Sequence, residues 1–139
     1  MAVIEVERLT RKYGTLVALN NITMSISEGE VFGLLGPNGA GKTTMVNILA
    51  TQLTPTSGTA SVCGFDCVAH ARMVRSLVGV APANTRSLYW RLTGEENLLH
   101  YADLYGLSAS TAKARVRECL ELLGLSEVGK RLVSTYSHG

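Results

Sequence analysis

No stretch restricts this chain more than Gly36-Pro-Asn-Gly-Ala-Gly-Lys42-Thr43-Thr44. It satisfies the phosphate-loop pattern G-x-x-x-x-G-K-[ST], and its flanks have the required character. Glu30 to Leu35 reads as a short buried strand entering the loop, and Thr43 to Leu53 as the helix leaving it. Gly36, Gly39 and Gly41 let the backbone bend so that successive N–H groups point at phosphate oxygens. Asn38 and Ala40 complete the loop, and the following helix start favours an anion. Lys42 supplies a point charge for β- and γ-phosphates, and the Thr43 hydroxyl, followed by Thr44, is placed to ligate Mg²⁺. The competing reading is a glycine-rich strand-to-helix turn capped by Asn38 or Thr43.

A chain of 139 residues suits one ordinary domain. Its hydrophobic content of 46% supports a globular core. A formal charge of +2, with eleven acidic side chains spread along the chain, argues against nucleic acid as the main partner. A nucleotide suits that balance, because a phosphate loop is built mainly from backbone and one lysine. Cys63, Cys67 and Cys119 read as reduced cysteines in small apolar or turn positions. Cys63, Cys67 and His70 make too poor a ligand set for zinc. The N-terminus is acidic where a signal peptide is basic, and no apolar run approaches the roughly 18 residues of a membrane span. Work at a membrane would therefore go through a partner.

Along the chain, Val3 to Leu9 alternates as an edge or half-exposed strand, and Arg11 to Gly14 makes a turn. Val17 to Ile26 alternates again, so antiparallel or mixed strands precede the phosphate loop. Thr54 to Gly58 is turn chemistry, Thr59 to Val62 a short strand, Val68 to Val74 a short helix, and Leu77 to Ala81 a strand stopped by Pro82. Gly94 to Tyr105 is a helix with Thr93 as N-cap and Glu96 completing a capping box; Leu98, Tyr101, Ala102 and Tyr105 share its apolar stripe. Ser108 or Ser110 opens another helix, stopped at Gly124. The alternation is α/β, with the nucleotide-binding part over residues 1–93 and a helical subdomain over 94–139.

These residues together resemble the N-terminal part of the ATP-binding domain of an ABC transporter, nearest to drug or antibiotic exporters and ABC-2 type systems. Arg11-Lys-Tyr13-Gly14 followed by Ala18 to Ile22 is similar to the family's adenine-side opening, and Gly36 to Thr44 to its phosphate loop. Leu88 to Leu98 is similar to the stretch after its glutamine loop, and Leu132 to Gly139 to the approach to its signature motif, with Ser-His-Gly where many members have Ser-Gly-Gly. The resemblance implies a P-loop nucleoside triphosphatase core with an N-terminal mixed β layer and a partial helical subdomain, cut before the Walker B strand. It implies ATP and Mg²⁺ as cofactors, with Lys42 as the catalytic lysine. Tyr13 would stack on adenine, beside apolar walls from Val17 and Ala18; its alternative is a turn tyrosine shielding the first hairpin. Ser137 and Gly139 would bind the γ-phosphate of ATP held by a second subunit in a head-to-tail dimer, while His138 reads as an ordinary surface histidine.

Two departures limit the likeness. The family's glutamine position aligns with Ala83, which can neither ligate metal nor hold water, with Asn84 next to it. The family's later acidic residues and switch histidine have no counterpart here, since Asp66 and Asp103 lie in other contexts. The implied protein is an ATP-binding subunit of an exporter, peripheral at the cytoplasmic face of the membrane through a transmembrane permease, and this stretch is expected to bind ATP weakly and hydrolyse it poorly. The alternatives are an ABC-type ATPase without a membrane partner and a non-catalytic nucleotide-binding remnant. Exposed apolar side chains on Val31 to Leu35 and Leu77 to Ala81 are expected as well.

Overall fold

The computed structural model describes residues 1–81 and 88–137, which fall into two compact units, Met1–Ala81 and Pro82–Gly139. In the first, β1 (Ala2–Tyr13) and β2 (Leu16–Ser27) form a hairpin closed by Gly14 and Thr15, so Arg11 to Tyr13 of the expected turn are strand, held by their pairing with β2. Gly14 has φ 58°, the left-handed conformation that tight hairpin turns require. β3 (Ser57–Val62) pairs with the other edge of β1, and β4 (Phe65–Asp66) with β3, giving the order β2-β1-β3-β4 with every pairing antiparallel. Of the two readings its alternation allowed, β1 is thus the half-exposed strand and not the edge. Glu5 and Glu7 face solvent while Val6 is buried, so the alternation there records one wet face and is silent about the number of neighbours; Leu9 turns to the buried side across an irregularity at Arg8, which has φ 46°.

One layer of helix covers the dry face. α1 (Lys42–Leu49) brings Met45 and Ile48 against Val6, Leu9, Leu19, Ala60 and Val62, and α2 (Ala71–Leu77) adds Val74 to the same core. α1 stops short of the expected Leu53 because Ala50 caps it and Thr51 adopts φ 60°. α2 begins after the expected Val68, since the Asp66 Oδ1 accepts the N–H groups of Val68 and Ala69 at 2.8 and 2.7 Å and holds them in a turn. Cys67 belongs to the core, where burial, and then the Asp66 charge, push its thiol up to about 11. Cys63 and Cys119 are exposed, and all three cysteines are free.

Two expected strands do not form. Residues 31–35 run as unpaired chain, with Val31 98% and Leu35 92% exposed. Leu77 closes α2, and residues 78–81 are unpaired too. Both stretches have the composition of interior parallel strands, but a strand exists only when a neighbour accepts its ladder hydrogen bonds, and no described segment does so.

The second unit is helical over its described residues. α3 (Gly94–Leu104) opens on the expected capping box: Thr93 Oγ1 accepts the Glu96 N–H at 3.1 Å, and Glu96 Oε2 accepts the Thr93 N–H at 2.7 Å. Those bonds to Thr93 hold the Glu96 carboxyl below its usual range. α4 (Ala109–Leu122) is capped by Ser108, packs on α3, and ends before Gly124 at φ 66°. Two 3-10 turns follow, Val128–Lys130 and Val133–Thr135. The Val133 and Ser134 N–H groups donate to the Leu92 and Trp90 carbonyls at 2.9 and 3.1 Å, so residues 88–93 belong to this unit and the compact division falls at Ala81. Ala83 and Asn84 lie outside the described residues.

Candidate functional site

The sheet-to-helix crossing of the first unit shapes an open cleft of about 310 Å³, lined by Tyr13, Leu16 and Ala18 from the hairpin and by Asn38, Gly39, Gly41, Lys42, Thr43 and Thr44 from the loop and α1. The hairpin reaches the loop through an irregularity in β2. Arg11 pairs with Leu19 and Lys12 with Val17, so β2 advances two residues where β1 advances one and Ala18 is left out of the ladder. The Ala18 carbonyl packs on Gly41, where a side-chain carbon would overlap it and the Leu19 side chain. Gly41, at φ 86°, therefore meets both a conformational and a steric demand that no other residue satisfies.

Gly41 is also the N-cap of α1, and no side chain caps this helix; no acidic residue stands in its first turn. The first intrahelical bond runs from the Met45 N–H to the Gly41 carbonyl at 2.9 Å, which leaves the N–H groups of Lys42, Thr43 and Thr44 at the helix start. Asn38 and Thr43 thus do not act as the caps that a merely structural turn would use. The Lys42 ammonium donates to the Gly36 and Pro37 carbonyls, each at 2.6 Å, so it lies over the loop with two of three donors engaged. The Ala40 N–H closes the loop onto the Pro37 carbonyl at 3.2 Å.

Of the residues singled out from the sequence, Tyr13, Ala18, Asn38, Gly39, Gly41, Lys42, Thr43 and Thr44 come together in this cleft. Gly36 and Ala40 shape the loop without lining the cleft, and Val17 is replaced by Leu16. No local signal marks Leu16, because the alternation that would relate it to Ala18 breaks at Ala18, the residue left out of the ladder. Ser137 is an exposed residue of the second unit, and His138 and Gly139 lie outside the described residues. Asp66 is engaged in its turn and Asp103 is exposed on α3 of the second unit.

The lining holds one cation, three hydroxyl-bearing side chains, backbone donors and no carboxylate, with an aromatic ring at one side. That donor set fits a polyphosphate carrying a flat base. Lys42 and the N–H groups at the start of α1 would hold the phosphates, and Thr43 would offer a hydroxyl to a divalent cation bound with them.

The ABC transporter family model matches residues 19–139. The doxorubicin resistance ATP-binding protein DrrA of Mycobacterium tuberculosis is 45% identical over 132 residues, 95% of this chain and 40% of that protein. The ABC transporter ATP-binding protein NatA of Bacillus subtilis is 37% identical over 132 residues, covering 95% of this chain and 54% of the relative. The linearmycin resistance ATP-binding protein LnrL of Bacillus subtilis is 35% identical over 136 residues, covering 98% and 43%. This chain thus spans about half or less of the length of these curated relatives. A solved ATP-binding subunit of an ABC transporter superimposes with a TM-score of 0.80 at 29% identity, covering 98% of this chain and 56% of that one. With motif, cleft and likeness in agreement, this chain belongs to the ABC transporter family and carries part of its ATP-binding domain.

Proposed function

We propose that the cleft binds ATP with Mg²⁺, as the nucleotide-binding part of an exporter's ATP-binding subunit. The observation that supports this reading most is the meeting of Tyr13 with Lys42, Thr43 and Thr44 along one open cleft, although they are far apart in sequence. Lys42 and the α1 N–H groups take the phosphates, Thr43 the metal, and Tyr13 with Leu16 and Ala18 the base. The bound nucleotide supplies the phosphoryl group for hydrolysis, and the chain's own residues hold and neutralise it. Among the described residues no carboxylate lines the cleft to take a proton from water, so this chain alone should bind ATP far better than it turns it over.

The resistance proteins among its relatives favour export as the process served. On this reading Met1–Ala81 binds nucleotide, and Pro82–Gly139 presents Ser137 and Gly139 to nucleotide on a second ATP-binding subunit. A transmembrane permease completes the assembly at the cytoplasmic face of the membrane; no helix among the described residues is long and apolar enough to cross one.

Calorimetric titration of ATP with Mg²⁺ into the wild-type chain, Lys42→Ala and His138→Ala tests the assignment. Lys42→Ala should weaken binding about tenfold or more, the worth of a charge-assisted hydrogen bond, and His138→Ala should leave it unchanged. Equal losses, or a larger loss for His138→Ala, would overturn the placement of the site.

A further inference from the structure

We propose that Arg11 is a positioning residue for the base, holding the Tyr13 ring against the cleft from behind. The proposal rests on the nucleotide-binding reading above. Arg11 and Tyr13 lie two apart on β1 and so share one face of the strand. The Arg11 guanidinium carbon sits 4.6 Å from the centroid of the Tyr13 ring, a cation–π stack. Arg11 is not among the residues lining the cleft, whereas Tyr13 is. On this proposal the guanidinium takes the ring face turned away from the cleft, and a flat base meets the ring from the cleft side.

Arg11 is itself held. Its Nη1 donates to the Thr54 carbonyl at 3.0 Å, in the loop that follows α1. That loop is tied to β1 on either side of Arg11: the Thr56 N–H donates to the Thr10 carbonyl at 2.8 Å, and the Lys12 N–H to Thr56 Oγ1 at 2.9 Å. The Arg11 Nε is buried without a hydrogen-bond partner among the described residues. A surface arginine free to turn would give that nitrogen to water, so the side chain keeps the stacked position at the expense of a hydrogen bond. An exposed tyrosine at a hairpin end otherwise loses side-chain freedom when a base stacks on it, and a fixed guanidinium on its far face removes much of that loss beforehand. Arginine suits this role better than lysine because its planar head stacks on a ring while its edge still donates a hydrogen bond.

The test separates the base from the phosphates. ATP and inorganic tripolyphosphate, each with Mg²⁺, are titrated calorimetrically into the wild-type chain, Arg11→Ala, Tyr13→Ala, the double variant and Lys42→Ala. Arg11→Ala should weaken ATP about two- to fivefold, the range of an exposed cation–π contact, and leave tripolyphosphate unchanged. Unchanged tripolyphosphate binding also shows that the loop remains folded. In the Tyr13→Ala background, Arg11→Ala should have no further effect on ATP. Equal weakening of both ligands, no weakening of ATP, or the same loss with Tyr13 absent would overturn the proposal. Lys42→Ala should weaken both ligands; if it weakens neither, the nucleotide-site reading fails, independently of how Arg11 behaves.

Discussion

Asn97 is 1% exposed, the one polar side chain buried on α3 among the described residues. Its Oδ1 accepts the Tyr89 N–H at 2.8 Å, and its Nδ2 donates to the Tyr89 and Thr93 carbonyls at 3.0 and 2.9 Å. The side chain fastens the stretch before α3 to the helix by satisfying backbone groups that have no ladder of their own. Asn97→Leu keeps a similar size but strands the Tyr89 N–H, so it should cost about 1–3 kcal/mol in chemical denaturation of the chain. A change within a few tenths would show that water replaces the amide there. Apolar spacing pointed to Leu98, Tyr101, Ala102 and Tyr105 as the inward stripe, yet Leu98 and Tyr105 are exposed and Asn97 faces inward. Periodicity assumes that a helix packs on side chains; here part of what it packs on is backbone, which asks for hydrogen bonds.

The phosphate loop works as an element because β2 and α1 meet at Gly41. The irregularity of β2 at Ala18 and the left-handed Gly41 are complementary halves of one contact. Gly41→Ala should reposition α1 or the hairpin end, with a cost of at least about 1–3 kcal/mol for the backbone strain alone and loss of ATP binding. The contrasting control is Gly39→Ala. Gly39 also has positive φ, at 85°, but a side-chain carbon there would meet nothing within 4 Å. Gly39→Ala should lower stability less than Gly41→Ala in thermal melts. Equal shifts would mean that the Ala18 contact is unimportant and only the dihedral matters. The motif was legible down to its glycines, but the partner that makes Gly41 obligatory was not, because nothing local marks Ala18 as the residue left out of the ladder.

At the scale of the whole molecule, residues 31–35 are the conspicuous feature. Val31, Phe32, Leu34 and Leu35 are all exposed, a contiguous apolar stretch leading into the phosphate loop. Unpaired backbone with apolar side chains is a template for strand pairing between molecules. Amide exchange of residues 31–35 should approach unprotected rates while the β1 amides of Val6 and Leu9 exchange slowly, and sedimentation should show self-association that grows with concentration. Strong protection of 31–35 in a monomer would show pairing that this structure lacks. The Leu77 to Ala81 stretch obeys the same argument, with Leu77 and Val80 exposed.

The sequence by itself determined the features whose causes are local. The glycine spacing of the phosphate loop and the Thr93 and Glu96 capping box each follow from backbone dihedrals and hydrogen bonds within a few residues. It also pointed to Lys42 through the phosphate-loop motif and to Tyr13 and Ala18 through resemblance, and all three line the one cleft. Only the tertiary structure decided that β1 lies inside the sheet, that Leu16 rather than Val17 faces the cleft, and that residues 31–35 stay outside the sheet in spite of strand composition. The physical reason is common to all three. Strand state and facing depend on which distant backbone accepts the ladder bonds, and that choice is made by the assembled fold, not by the residues that offer them.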